Sequence, residues 1–264
     1  MFYRAKALNR YKLASLDGDI GKVKDFYFDD QHWAIRYLVA DTGEWLMGRQ
    51  VLISPYALFG ALKPEQRIAV NLTTKQIENC PPLYSDKPVS QQFEADYNRY
   101  YGWPIYWSGP NLWGSYPYMW GSNPYALRDD ETETELSRDK EAWDPHLRSI
   151  QEVTGYHVHA VDGEIGHIDD FIVDDETWAI RYLVVDTRNW WPGQRVLVSI
   201  RWIERVSWED SKVFVNVTRQ AVKDAPEYSD ETVLTRDYER AVDRNYHQAR
   251  GHWTGHPAVY EHTR

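Results

Sequence analysis

Apolar positions along this chain recur mostly at every second residue, in short runs bounded by Gly, Asp and Pro. That spacing predicts short strands rather than long helices. Lys212-Val-Phe-Val-Asn-Val-Thr218 places Val213, Val215 and Val217 at a period of two. Trp178-Ala-Ile-Arg-Tyr-Leu-Val-Val185 is apolar on both parities and rich in β-branched and aromatic residues, which predicts a strand covered on both faces. Ile165–Val173, Gln194–Ser199 and Trp202–Trp208 read as further strands, and this many short strands in succession predict a small closed barrel. Helical signals are fewer. Lys75–Asn79 and Gln220–Ala225 are short pieces stopped by Pro81 and Pro226. Longer helices begin at Ser90 and Thr235 as N-caps, with Phe93, Tyr97 and Tyr101 one turn apart and Gly102 placed to close the first.

The pattern occurs twice. Asp17 to Thr42 and Asp162 to Thr187 are identical at 17 of 26 positions with a constant offset of 145. The shared positions include Gly18, Gly21, Trp33, Arg36 and Asp41, answered by Gly163, Gly166, Trp178, Arg181 and Asp186. Weaker matches continue as far as Glu94/Glu239 and Tyr101/Tyr246. The chain is therefore read as a duplicated module: residues 1–107, a linker over 108–150, and residues 151–264. Asp17-Gly18 and Asp162-Gly163 are read as hairpin turns that use glycine's access to positive φ. Arg36 and Arg181 lie inside an apolar strand, so each needs a carboxylate, which the repeated aspartates are placed to supply.

The Asp-Gly-x-Ile-Gly turn, the Asp-Phe-x-x-Asp strand end, the Trp-x-Ile-Arg-Tyr-Leu-Val-x-Asp-Thr strand and the Tyr-Tyr-Gly-Trp-Pro-Ile-Tyr-Trp107 helix end resemble a PRC-barrel domain. The resemblance implies a mainly β protein with added helices: two tandem small PRC-type β-barrels, each followed by a helix. That family is similar to the cytoplasmic part of the photosynthetic reaction-centre H subunit and to the C-terminal domain of the RimM ribosome-maturation factor. It implies a protein-interaction or assembly scaffold rather than an enzyme. The alternatives are a small-molecule or metal-binding sensor with a ligand between the barrels, a ribosome or RNA-metabolism accessory factor, and a reaction-centre H-subunit-like electron-transfer accessory.

Composition narrows these. Aromatics make up 15% of the 264 residues, with 13 Trp and 19 Tyr, and they crowd the linker. Tyr97, Tyr101, Trp103, Tyr106, Trp107, Trp113, Tyr116 and Trp120 are the candidate interface residues, for a protein partner or for self-pairing in a homodimer. A net charge of −10 argues against general nucleic-acid binding. No apolar run is long enough for a transmembrane helix, and the basic N-terminus does not read as a signal peptide. With a single cysteine, Cys80, a cytoplasmic location is expected. No dinucleotide, phosphate-loop, zincin or serine-hydrolase motif is present, so no catalytic residue, cofactor or metal site is assigned. His157 and His159 share a strand face, but the first copy has Lys12 and Ala14 there, and core or surface roles are expected. Asp29-Asp30 and Asp174-Asp175 are read as turn residues pointing apart.

Overall fold

The computed structural model describes residues 1–47, 49–62, 66–84, 89–107, 111–114, 147–187 and 194–250. Tyr116 and Trp120 lie outside the described residues. The chain divides into two compact units, one made of Met1–Val153 with Phe171–Arg181 and the other of Thr154–Asp170 with Tyr182–Arg264.

The first unit runs β1 (Phe2–Arg4), α1 (Ala5–Leu8), β2 (Lys12–Ala14), β3 (Asp19–Asp29), β4 (Ala34–Asp41) and β5 (Arg49–Ile53). A 3-10 turn at Pro55–Ala57 leads to β6 (Leu58–Leu62), β7 (Arg67–Val70), α2 (Thr74–Glu78), β8 (Leu83–Tyr84) and α3 (Gln91–Tyr101), and later to β9 (Leu147–Ser149) and α4 (Ile150–Val153). Its sheet has the order β6-β7-β2-β3-β4-β5-β8, with β9 paired on β3. β2 and β7 are parallel, and the other pairs are antiparallel. The long strand β4 is buried from Ala34 to Ala40, as its two-faced apolar pattern predicts.

The remaining elements are β10 (His157–Ala160), β11 (Gly163–Asp174), β12 (Ile180–Asp186), β13 (Arg195–Ser199), β14 (Ile203–Ser207), β15 (Lys212–Val215), α5 (Arg219–Lys223) and α6 (Arg236–Arg250). They follow the order β13-β12-β11-β10-β15-β14, and the boundary between the units cuts across β11 and β12. Val213 and Val215 face inward on β15, and Val217 is buried just beyond its end, so the strand is shorter than the period of two predicted. Ser90 caps α3 by accepting from Phe93 N at 3.2 Å, and Gly102 closes it in the left-handed region at φ 71.

The mainly β architecture with added helices is as expected. The strand pairings, however, do not close a ring among the described residues. Each sheet ends on two different strands, β6 and β8 in one and β13 and β14 in the other. The outer side of β5 is taken by β8, through Arg49↔Tyr84 and Gln50↔Leu83, so that edge is occupied by the segment after α2.

Two repeated glycines have a steric reason. Gly21 and Gly166 sit at φ 121 and 139, and a Cβ there would meet the backbone oxygens of Asp41 and Asp186 at 1.9 and 2.0 Å. Only glycine permits that approach, which accompanies a bulge in β3 and in β11. The Asp-Gly turns differ from expectation in one copy. Gly163 has φ 139, but Gly18 is not in the positive-φ region. Ser15 closes the first turn instead, its Oγ accepting from Gly18 N at 3.0 Å, where the second copy has Ala160. The aspartates do something the turn reading missed. Asp17 Oδ1 accepts from Thr74 N, and Asp162 Oδ1 accepts from Arg219 N, both at 2.7 Å. Each carboxylate thus joins Thr73 or Thr218 in capping the short helix that follows its sheet.

Residues of both copies meet within the first unit. β1 pairs with the end of β11 as Phe2↔Asp174, Tyr3↔Val173 and Arg4↔Ile172. β9 pairs with the end of β3 as Leu147↔Asp29, Arg148↔Phe28 and Ser149↔Tyr27. These are the same register at the 145-residue offset. The range read as linker, 108–150, therefore ends in a strand too short to show any periodicity. Between the two pairings, Ile35 N donates to Trp178 O at 2.8 Å and Ile180 N donates to Trp33 O at 2.7 Å.

Candidate functional site

Among the described residues of the first unit, polar and aromatic side chains converge on Arg36. The strand pattern puts this residue in the middle of β4, and its side chain is fully buried. A guanidinium there needs compensation on every side. Asp29, at the end of β3, accepts from Arg36 Nε at 2.7 Å. The turn after β3 folds back so that Trp33 N reaches Asp29 O at 3.0 Å, with Trp33 itself at φ 55. This turn aims His32 at the same carboxylate, through His32 N at 2.6 Å and Nδ1 at 3.0 Å from Oδ1. Burial alone would raise the Asp29 carboxyl. The hydrogen bonds from His32 and the charge of Arg36 outweigh it and hold the group below its ordinary value.

The other side of Arg36 is covered from the segment after α3. Arg36 Nη1 donates to Leu112 O at 2.7 Å, and its Cζ lies 3.9 Å from the Tyr106 ring centre and 4.6 Å from that of Trp113. The negative ring faces add to the compensation, while Nη2 has no hydrogen-bond partner among the described residues. Trp113 is 1% exposed, donates its Nε1 to Thr177 O at 3.0 Å, and meets Tyr56 edge-on at 5.1 Å. Tyr106 donates to Glu94 Oε1 at 2.9 Å, and Glu94, on α3, is wholly buried. Tyr37 also bonds Glu94, and burial together with that carboxylate pushes both Tyr37 and Tyr106 well above the ordinary tyrosine range. Both phenols stay protonated as donors at any physiological pH.

The structure gathers six of the eight interface candidates in this one place. Tyr97, Tyr106 and Trp113 are buried, whereas Tyr101, Trp103 and Trp107 are partly exposed. Trp103 stacks on Tyr101 at 4.3 Å, Tyr101 meets Tyr97 edge-on at 5.0 Å, and Tyr97 meets Tyr37 edge-on at 6.1 Å. The Tyr97 hydroxyl donates to Leu52 O, and Trp107 packs edge-on against Tyr106 at 4.7 Å. Much of this aromatic surface is therefore used inside the first unit. Cys80 is 4% exposed, beneath the Arg49 guanidinium, which bonds its carbonyl at 3.0 Å.

The carboxylate partner expected for Arg36 is present. Glu94 was visible only as one of the weaker repeat matches, and its second-copy counterpart behaves alike: Tyr182 donates to Glu239 Oε1 at 3.2 Å. His32 and Asn98, which also bonds Tyr37, carried no sequence signal. Of the adjacent aspartates, Asp29 turns to Arg36 while Asp30 turns to Arg148, at 3.0 Å, so the two do point apart. In the second unit His157 Nδ1 lies 2.8 Å from Glu164 and His159 stacks on Phe214. No group of three metal-ligating side chains occurs among the described residues. No helix among them is long and apolar enough to cross a membrane.

With the geometry in hand, comparison with known families is informative. Residues 146–222 match the PRC-barrel domain. This match begins at β9 and ends within α5. At the 145-residue offset its counterpart in the first copy is residues 1–77. An uncharacterized protein of Deinococcus radiodurans is 38% identical over 82 residues, which is 30% of this chain. The chain spans 29% of that protein's length.

Proposed function

We propose that this protein is a non-enzymatic interaction or assembly scaffold built from two PRC-type modules, the second being the matched residues 146–222 and the first their repeat. The observation that carries this reading is the match itself, doubled by the internal repeat. The Arg36 cluster is consistent with it. Its ionic and hydrogen-bonding groups turn to one another inside the unit, as in a structural polar core rather than a substrate site. In this reading both copies follow the barrel plan of the family, and the partly exposed Tyr101, Trp103 and Trp107 border the surface offered to a protein partner. Light scattering on a size-exclusion column, with native mass spectrometry of the same peak, tests the proposal. A defined assembly heavier than 31.2 kDa, of self or of one stoichiometric protein partner, supports it. A monomer that carries a bound small molecule or metal ion in the native spectrum replaces it with the sensor reading.

A further inference from the structure

We propose that the strand and turn opening each copy form an exchangeable donor element, and that the partner this surface is built to receive is a second copy of the same module. The inference goes beyond a general scaffold role by naming the partner. Its first support is the reciprocity of the pairing. Phe2↔Asp174 and Leu147↔Asp29 are one contact written twice, as are the Ile35–Trp178 and Ile180–Trp33 bonds and the self-paired Ala34↔Ala179 bridge. Residue i meeting j while j's counterpart meets i's counterpart is the mark of an isologous, two-fold contact, here made within one chain.

The second support is that the receiving surface has specific polar fittings as well as strand edges. Asp25 is 7% exposed, and its carboxylate accepts from Ser149 Oγ and, at 3.2 Å, from Gln151 N. Gln151 Nε2 donates to Lys24 O at 2.6 Å, and Arg148 pairs with Asp30. At the counterpart contact the N-terminal ammonium pairs with Asp175, whose own N–H donates to Met1 O at 3.0 Å. Phe26 N donates to the same carboxylate at 2.8 Å, but a buried carboxylate that takes its other two donors from residues more than a hundred positions away is left underbonded at a cost when they leave. The third support is the family match. It begins at residue 146, so β9 belongs by sequence to the second module, yet β9 and α4 are packed in the first compact unit. A strand given by one module to another is the geometry of domain exchange, and the chain is then a tethered pair.

The test cuts the tether in the full-length protein. A protease site is placed in the acidic run at Asp129–Glu131, and the purified chain is cleaved without denaturant. The two fragments are expected to leave a size-exclusion column as one species of the intact mass, 31.2 kDa. Fragments that separate at micromolar concentration overturn the proposal. Arg148→Asp sets a carboxylate against Asp30 and is expected to weaken the cut complex about tenfold at low salt, with Asp30→Arg in the same protein restoring it. A cut complex indifferent to both substitutions overturns the assignment of this surface. These measurements use purified protein alone, so failure to find an outside partner or a higher assembly leaves their outcome unaffected.

Discussion

Arg36 and Arg181 hold the same place in the two halves of the sequence repeat, on β4 and β12, and they live in different chemistry. Arg36 is wholly buried, paired with Asp29 and covered by Tyr106, Trp113 and the Leu112 carbonyl. Arg181 is only partly buried, and its side chain has no ion pair or hydrogen bond among the described residues. Asp174, the counterpart of Asp29, instead accepts from Glu176 N at 3.0 Å, and Thr177 stands where His32 helps hold Asp29. The strand sequence Trp-Ala-Ile-Arg-Tyr-Leu-Val is identical in the two copies. The difference therefore goes with what surrounds the strand, which around Arg36 is the turn that carries His32 and the segment after α3. A buried cation is tolerated only when several separate elements supply its partners.

Stability measurements on the two arginines should separate them most. Arg36→Leu leaves Asp29 buried with its cation gone and is expected to cost about 4 kcal/mol in chemical denaturation. Arg181→Leu is expected to cost less than about 1 kcal/mol. Equal losses would mean that Arg181 is as deeply committed as Arg36. Trp113→Ala opens the cover and is expected to cost about 3 kcal/mol. In a double-mutant cycle it should be strongly non-additive with Arg36→Leu, because both remove parts of one contact.

The pH dependence sharpens the comparison further. The Asp29 carboxyl is held below the ordinary 3.8, so its contribution is present above that pH and is lost as pH falls through the lowered folded value. Asp25 has the opposite sign. Burial raises it, despite the donors from Ser149, Phe26 and Gln151, so its contribution is present below 3.8 and is lost as pH rises through the raised folded value. Relative to the parent, Asp29→Asn should therefore lose its disadvantage as the solution is acidified from neutrality, while Asp25→Asn should lose its relative advantage. Urea titrations at several pH values would show the two slopes, and parallel slopes would contradict the assignment of opposite shifts.

The smallest effect concerns a point on which the copies converge. Tyr97 donates to Leu52 O, and Tyr246 donates to Leu197 O at 3.0 Å, the same carbonyl at the 145-residue offset. The tyrosines themselves are 149 residues apart, so the second helix reaches its anchor one turn later. Tyr97→Phe and Tyr246→Phe should each cost about 1 kcal/mol. A negligible loss at Tyr246 alongside a clear one at Tyr97 would show that the anchors are not equivalent. Sequence alignment pairs Tyr246 with Tyr101 instead, which is why this equivalence was invisible before the fold was known.

Local physics accounts for what was legible from residues alone. A two-residue period, capping side chains, helix-stopping prolines and a long internal repeat each act over a few positions. They specified the strands, the short and long helices and the need of Arg36 for a carboxylate. The glycines at 21 and 166 were visible as repeats, but their reason is a carbonyl from β4 or β12 that lies far along the chain. Only tertiary structure decided that the aromatic residues after α3 turn inward over Arg36. It also decided that three residues at the end of the range read as linker form a strand on β3, and that the strand pairings leave open ends among the described residues. These outcomes depend on desolvation and strand-edge pairing between positions tens to more than a hundred residues apart. Such contacts leave no periodicity in the residues that make them, because each partner is chosen by the surface it meets.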